Sequence, residues 1–278
     1  MTGIGAVLLP LLLLSSPAHL LFGGPGTDWV LLSGSGEVRL RMREIGGVQP
    51  FDAATSPDGR RWAVSTRREQ QNPELFLFSS LDAPPRRIVA KGNVLDGLRF
   101  SADGEWVYFS SNDEKQPTFD QQPMRYAQVY RVRFAKGEPE RLTLSRGCHM
   151  WPRPLSATRV VVSHATCQGG RSLEILSTRS GEEKVLLPPT ENVGETAPHP
   201  DGSKILFTRS VPAGMEFRLW DLQTNSSTLW TTLAVGGARM RPQWAEQGRV
   251  VLFQSGSRVL RMDSNGNAED VLDLRVTP

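Results

Sequence analysis

The sequence predicts an all-β fold, a six-bladed β-propeller of four-stranded antiparallel blades. Three observations carry that expectation. A turn tetrad recurs at a spacing of about 45 residues, which is the repeat length of a propeller blade. Each tetrad is followed by a short apolar run and then by an alternating one. No helical periodicity of useful length follows residue 22.

The tetrads are Ser56-Pro57-Asp58-Gly59, Ser101-Ala102-Asp103-Gly104 and His199-Pro200-Asp201-Gly202. Degenerate copies stand at Leu155-Ser156-Ala157-Thr158 and Ala245-Glu246-Gln247-Gly248. Proline presets φ for the first central position of a β-turn, Asp tolerates the second, and Gly accepts the strained exit. The run after each tetrad, such as Trp106-Val107-Tyr108-Phe109-Ser110 or Ile205-Leu206-Phe207-Thr208, is apolar throughout. That is the pattern of a strand buried on both faces. The next run, such as Phe217-Arg218-Leu219-Trp220 or Val259-Leu260-Arg261-Met262, alternates, as expected of a strand farther from the central axis. Short runs such as Glu140-Arg141-Leu142-Thr143 and Lys184-Val185-Leu186-Leu187 then close the unit. Trp29–Leu32 and Val38–Met42 repeat the strand–turn–strand pattern ahead of the first tetrad. The expected units are about 22–50, 51–96, 97–147, 148–195, 196–240 and 241–278, within a propeller spanning 22–278. Six closed blades leave no open strand edge to aggregate.

These units resemble the TolB-like (WD40-like) repeats of bacterial periplasmic propellers, over most of residues 51–253. The tetrads and their apolar strands carry the resemblance. It implies the fold and a place outside the cytoplasm, but not one function, since such repeats occur in partner-binding proteins, peptidase accessory domains and polysaccharide lyases. TolB itself has an α/β domain before its propeller; none is expected here, so a role in the Tol system is not expected to carry over.

The N-terminus is read separately. Ile4 to Leu14 form an apolar run, interrupted at Pro10, with Ser16 and Ala18 at the −3 and −1 positions of a cleavage site. The expectation is a signal peptide over residues 1–18 and a periplasmic or secreted protein. An uncleaved segment would attach the chain to a membrane, and an internal strand of a cytosolic protein is the third reading.

Composition narrows the function classes. The chain has 32 basic and 29 acidic residues, a net charge of +3, and basic runs no longer than pairs such as Arg60-Arg61. Charge this dispersed is a solvated surface and argues against nucleic acid as a partner. No Gly-x-Ser-x-Gly, phosphate-cradling loop or His-Glu-x-x-His occurs in the sequence. Asp263 to Asn267 resembles a calcium loop, but Ala268 and Leu274 stand where Gly and a bidentate Glu are needed, so a hairpin turn is expected.

Three local features are candidates. With the fourth turn centred at residues 157–158, antiparallel pairing sets Cys148 opposite Cys167, and in an exported protein that predicts a disulfide. His149 and His164 lie near the same end, so a metal set of Cys148, His149, His164 and Cys167 is the alternative, against which adjacent strand residues point to opposite faces. A second metal reading places His149 and His199 around a central pocket. The third feature is a long loop from Asn112 to Ala127, in which Phe119, Met124, Arg125 and Tyr126 are candidate contact residues.

The expected function is therefore an exported, non-catalytic binding or scaffold module for a protein or cell-envelope partner. It is expected to be monomeric and to need no cofactor. The alternative is a glycan-active propeller enzyme, of polysaccharide lyase or hydrolase type, with a metal in the central pocket.

Overall fold

The computed structural model describes residues 19–24, 27–66, 74–89, 95–116, 124–144, 147–165, 169–235 and 240–275. They form six antiparallel sheets, each built from one continuous stretch of chain. The first blade comprises β1 (His19–Phe22), β2 (Trp29–Ser33) and β3 (Val38–Met42). The second has β4 (Asp52–Thr55), β5 (Trp62–Ser65), β6 (Glu74–Phe78) and β7 (Arg86–Val89), and the third β8 (Leu95–Phe100), β9 (Trp106–Gln116), β10 (Met124–Arg133) and β11 (Glu140–Arg141). The fourth has β12 (Cys148–Ser156), β13 (Arg159–Ala165), β14 (Arg171–Ser177) and β15 (Glu183–Leu187). The fifth has β16 (Val193–Pro198), β17 (Lys204–Val211), β18 (Gly214–Asp221) and β19 (Ser226–Leu233). The sixth has β20 (Gln243–Ala245), β21 (Val250–Ser255), β22 (Arg258–Met262) and β23 (Ala268–Asp273).

The sheet order follows the chain order in every blade, so the first strand of each is innermost. The apolar run after the tetrad is the second strand, and β5 and β21 are buried along their whole length. The third strands alternate between buried and wetter positions, as β6 does. Apolar clusters fill the spaces between neighbouring sheets. One such cluster joins Ala54, Leu75 and Ile88 of the second blade to Leu98, Val107 and Phe109 of the third.

The first blade differs from the expected pattern. Its inner strand is β1, which begins upstream of residue 22, and among the described residues it has three strands. Leu20 and Phe22 of β1 are buried against Leu252, Val259 and Leu274 of the sixth blade. Backbone closes the same seam, since Asp28 N–H donates to Leu274 O at 2.9 Å. Among the described residues the ring is thus closed by packing and loop hydrogen bonds, and no sheet there combines strands from the two ends of the chain.

The tetrads share one geometry. The first residue's side chain caps the turn: Ser56 Oγ accepts from Arg61 N–H and Ser101 Oγ from Trp106 N–H, each at 2.9 Å. The tetrad glycines Gly59, Gly104 and Gly202 lie at φ of +71°, +69° and +73°. Gly59 and Gly104 also admit a side chain from the preceding blade. A Cβ on Gly59 would lie 2.7 Å from the His19 ring, and one on Gly104 would strike the Arg61 guanidinium. The degenerate copy at 245–248 keeps this contact, with Gly248 against the His199 ring. In that copy Glu246 and Gln247 take left-handed φ without being glycine.

Candidate functional site at the central channel

Asp52, Gly97, Trp151, Glu195 and Arg241 each stand four residues before the start of their tetrad, and all five line one pocket at the channel. Two residues closer to the tetrad, Arg99 and Arg153 reach the same pocket. The repeat therefore builds the pocket from equivalent positions of five blades. Inner strands run toward the tetrad turns, so the pocket belongs to the opposite end of the channel.

Local backbone irregularity aims these side chains inward. The ladder slips between Asp96 and Arg99, between Met150 and Arg153, and between Val193 and Thr196. A bulge inserts an unpaired residue and redirects its side chain. Gly97, Trp151 and Arg241 also share left-handed φ of +72°, +53° and +45°. Such backbone is costly for Trp and Arg, and it concentrates at sites where a side chain must be held in one direction. Gly97 is required by proximity as well, since a Cβ there would sit 2.9 Å from the Trp151 Cα.

The charges form a ring that joins blades. Arg153 Nη2 donates to Glu195 Oε2 at 3.0 Å, linking the fourth and fifth blades. Glu195 Oε1 accepts from Met240 N–H at 3.2 Å, reaching toward the sixth. Arg241 Nη1 lies 2.6 Å from Asp52 Oδ1, and Asp52 Oδ2 accepts from Leu98 N–H at 3.0 Å, linking the second and third. Arg241 also lies over the Trp29 ring of the first blade at 5.1 Å. All four paired side chains belong to buried residues.

Arg99 stands apart. Its Nη1 donates to the neighbouring Leu98 O at 2.6 Å, and no ion pair to a described carboxylate forms. Its Nη2 is buried without a hydrogen-bond partner among the described residues. Desolvation, with the Arg153 and Arg241 charges close by, draws its pKa down to about 9, although Asp52 and Glu195 act in the opposite sense. It remains a cation at neutral pH.

The fourth blade holds a second cluster. His149 on β12 pairs directly with His164 on β13, and their rings stack at 4.1 Å. His164 Nδ1 lies 2.9 Å from Glu174 Oε1, which also accepts from Ser172 Oγ at 2.6 Å. Burial pushes the Glu174 carboxyl up, but the hydrogen bonds from His164 and Ser172 outweigh it and hold the group below its ordinary value. With Glu183, these four residues each offer one atom within 4.8 Å of the others.

The pairing in this blade corrects one expectation. Ser156 lies opposite Arg159, as a turn at 157–158 requires, but two register shifts in β12 follow. Each bulge adds one unpaired residue, so Cys148 comes opposite Ala165 and not opposite Cys167. Cys167 itself, and any bridge to it, lies outside the described residues. His149 and His199 are not brought together. His149 starts the inner strand of its blade, whereas His199 opens a tetrad at the other end, against Asp201 at 2.6 Å and the Trp244 ring at 4.7 Å.

The expected long loop is largely strand. β9 continues to Gln116 and β10 begins at Met124, so Met124, Arg125 and Tyr126 pair with Gln116, Lys115 and Glu114. This hairpin is longer than its counterparts in the other blades and extends at the end of the channel opposite the tetrads. Phe119 lies outside the described residues. The channel arginines were missed by sequence reading: Arg241 stands four residues before its tetrad and Arg99 and Arg153 two, and nothing in a single unit marks these positions as facing an axis.

No protein-family model and no curated protein sequence matches the chain. Solved structures do. The putative TolB from Agrobacterium tumefaciens is 19% identical with a TM-score of 0.65, over 86% of this chain and 85% of that one. TolB from Acinetobacter baumannii is 16% identical at a TM-score of 0.64, over 92% of this chain and 64% of that one. An oligogalacturonate lyase in complex with manganese is 15% identical at 0.57, over 92% of this chain and 74% of that one. By these likenesses the chain has the fold of the TolB-like six-bladed β-propellers.

Proposed function

We propose that this chain is an exported, non-catalytic binding propeller whose partner, a protein or a cell-envelope component, docks at the channel end opposite the tetrads. The observation that carries this reading is the concentration of unusual features at that end. The left-handed ring positions, the buried charges and the extended β9–β10 hairpin all belong to it. Rigid scaffolds place recognition where strand ends and long hairpins converge. The TolB neighbours favour a protein partner. Export rests on the apolar segment and small residues within residues 1–18. No helix among the described residues is long and apolar enough to cross a membrane.

A second reading has its own observation. Two histidines and two glutamates converge in the fourth blade, a donor set that suits Zn or Mn, and one structural neighbour is a lyase in complex with manganese. Metal analysis of the purified full chain separates the readings. The binding propeller is expected to hold less than a tenth of an equivalent of Zn or Mn. A stoichiometric ion lost in the His164→Ala variant would move the account to the metal-dependent enzyme.

A further inference from the structure

The pocket at the channel contains three guanidiniums, from Arg99, Arg153 and Arg241, and two carboxylates, from Asp52 and Glu195. Arg153 is matched to Glu195 and Arg241 to Asp52. The surplus charge is Arg99, a half-buried residue whose Nη2 is itself enclosed. A guanidinium in such a place is costly unless something satisfies it. Of the three, Arg99 alone forms no ion pair with a described carboxylate, and its Nη2 is buried without a hydrogen-bond partner among the described residues, whereas the partners of the other two are carboxylates.

We infer that Arg99 is the anchor of an anion site in the channel, and that its ligand is a single carboxylate. The inference rests on the binding reading above, and it names the chemistry by which the partner is held. Three details support a carboxylate over a larger anion. The pocket measures about 190 Å³ including the open solvent at its mouth, but the room it has for ligand atoms is about that of one water, so only the tip of a small group can enter it. The net surplus is one positive charge, which one carboxylate neutralises. A guanidinium offers a planar fork that suits two carboxylate oxygens. Trp151 forms part of the wall, and Arg171 lies over its ring at 5.1 Å, which adds positive charge beside the mouth. The carboxylate can come from a free small acid or from the C-terminus of a peptide, and the two sources are separable.

The test is a titration of the full chain in low-chloride buffer, followed by the Nε–Hε resonance of Arg99 and by calorimetry. The probes are acetate, a short peptide with a free C-terminal carboxylate, and the same peptide amidated. A carboxylate probe is expected to shift the Arg99 resonance, and amidation is expected to weaken the peptide at least tenfold. Arg99→Gln is expected to weaken the best probe at least tenfold while its Tm stays the same or rises, because an unmatched buried charge has been removed. Equal binding by Arg99→Gln would overturn the inference, as would no response to any carboxylate by the folded protein. A fall of several degrees in the Tm of Arg99→Gln would also overturn it, since Arg99 would then be a structural partner. Binding of acetate with no gain from the peptide would keep the anion site and count against the protein-partner reading. Peptide binding that ignores both amidation and Arg99→Gln would do the reverse.

Discussion

Asp52 Oδ1 and Arg241 Nη1 lie 2.6 Å apart, and through them the second blade is tied to the sixth across the channel. The same carboxylate accepts the Ala53 N–H at 2.9 Å and the Leu98 N–H at 3.0 Å. Asp52→Ala would remove an ion-pair partner and two charge-assisted acceptors from a buried position. The expected loss is about 3 kcal/mol of unfolding free energy, because a buried charge is left behind. Urea unfolding checks this, and the double variant Asp52→Leu/Arg241→Met should recover part of the loss.

Gly97 tests the backbone of the ring. At φ +72° an L side chain is strained, and its Cβ would press on the Trp151 backbone, which cannot swing aside as a long side chain could. Gly97→Ala is expected to cost about 2 kcal/mol or more. A loss below about 0.5 kcal/mol, within the range of an ordinary surface change, would show that the close approach to Trp151 is relaxed in solution.

A matched pair of glycines separates turn strain from blade contact. Gly202 and Gly248 both hold positive φ, +73° and +91°, but a Cβ on Gly202 meets open space while one on Gly248 meets the His199 ring. Gly202→Ala is expected to cost about 1 kcal/mol from the backbone alone. Gly248→Ala should cost more, since His199 is held between Gly248 and Trp244. Thermal melts of the two variants give the difference directly.

Glu174 makes stability depend on acid. Its pKa is lowered in the fold, so its contribution is fully present above the unfolded carboxyl value of about 4.3 and disappears as pH falls through the folded value. Wild-type unfolding free energy is therefore expected to fall below about pH 4.3 more steeply than that of Glu174→Gln. Parallel curves for the two proteins between pH 6 and 3 would remove Glu174 as a source of acid sensitivity.

Six blades, their tetrads and the strand order were legible because turn chemistry and strand alternation are local. The first inner strand was hidden, since His19–Phe22 merges with the apolar segment before it and reads as part of that segment. The register expected opposite Cys148 was displaced for a related reason. A turn centre fixes register only until the first bulge, and β12 has two. The channel ring was hidden differently. Asp52, Arg99, Arg153, Glu195 and Arg241 are far apart in sequence and unlike in type, and only the closed ring brings them together. They stand four or two residues before their tetrads, but nothing in a single blade shows that these positions face an axis.

Site-specific photo-crosslinking in the producing cell tests the central claim most directly. A photoreactive residue is placed at Trp151, on the channel end opposite the tetrads, or at Arg60, exposed beside the first tetrad. The account expects a discrete adduct of a single partner from position 151, lost when Arg99→Gln is added, and none from position 60. Adducts from position 60 with none from position 151 would contradict it, because the partner would then dock on the tetrad face.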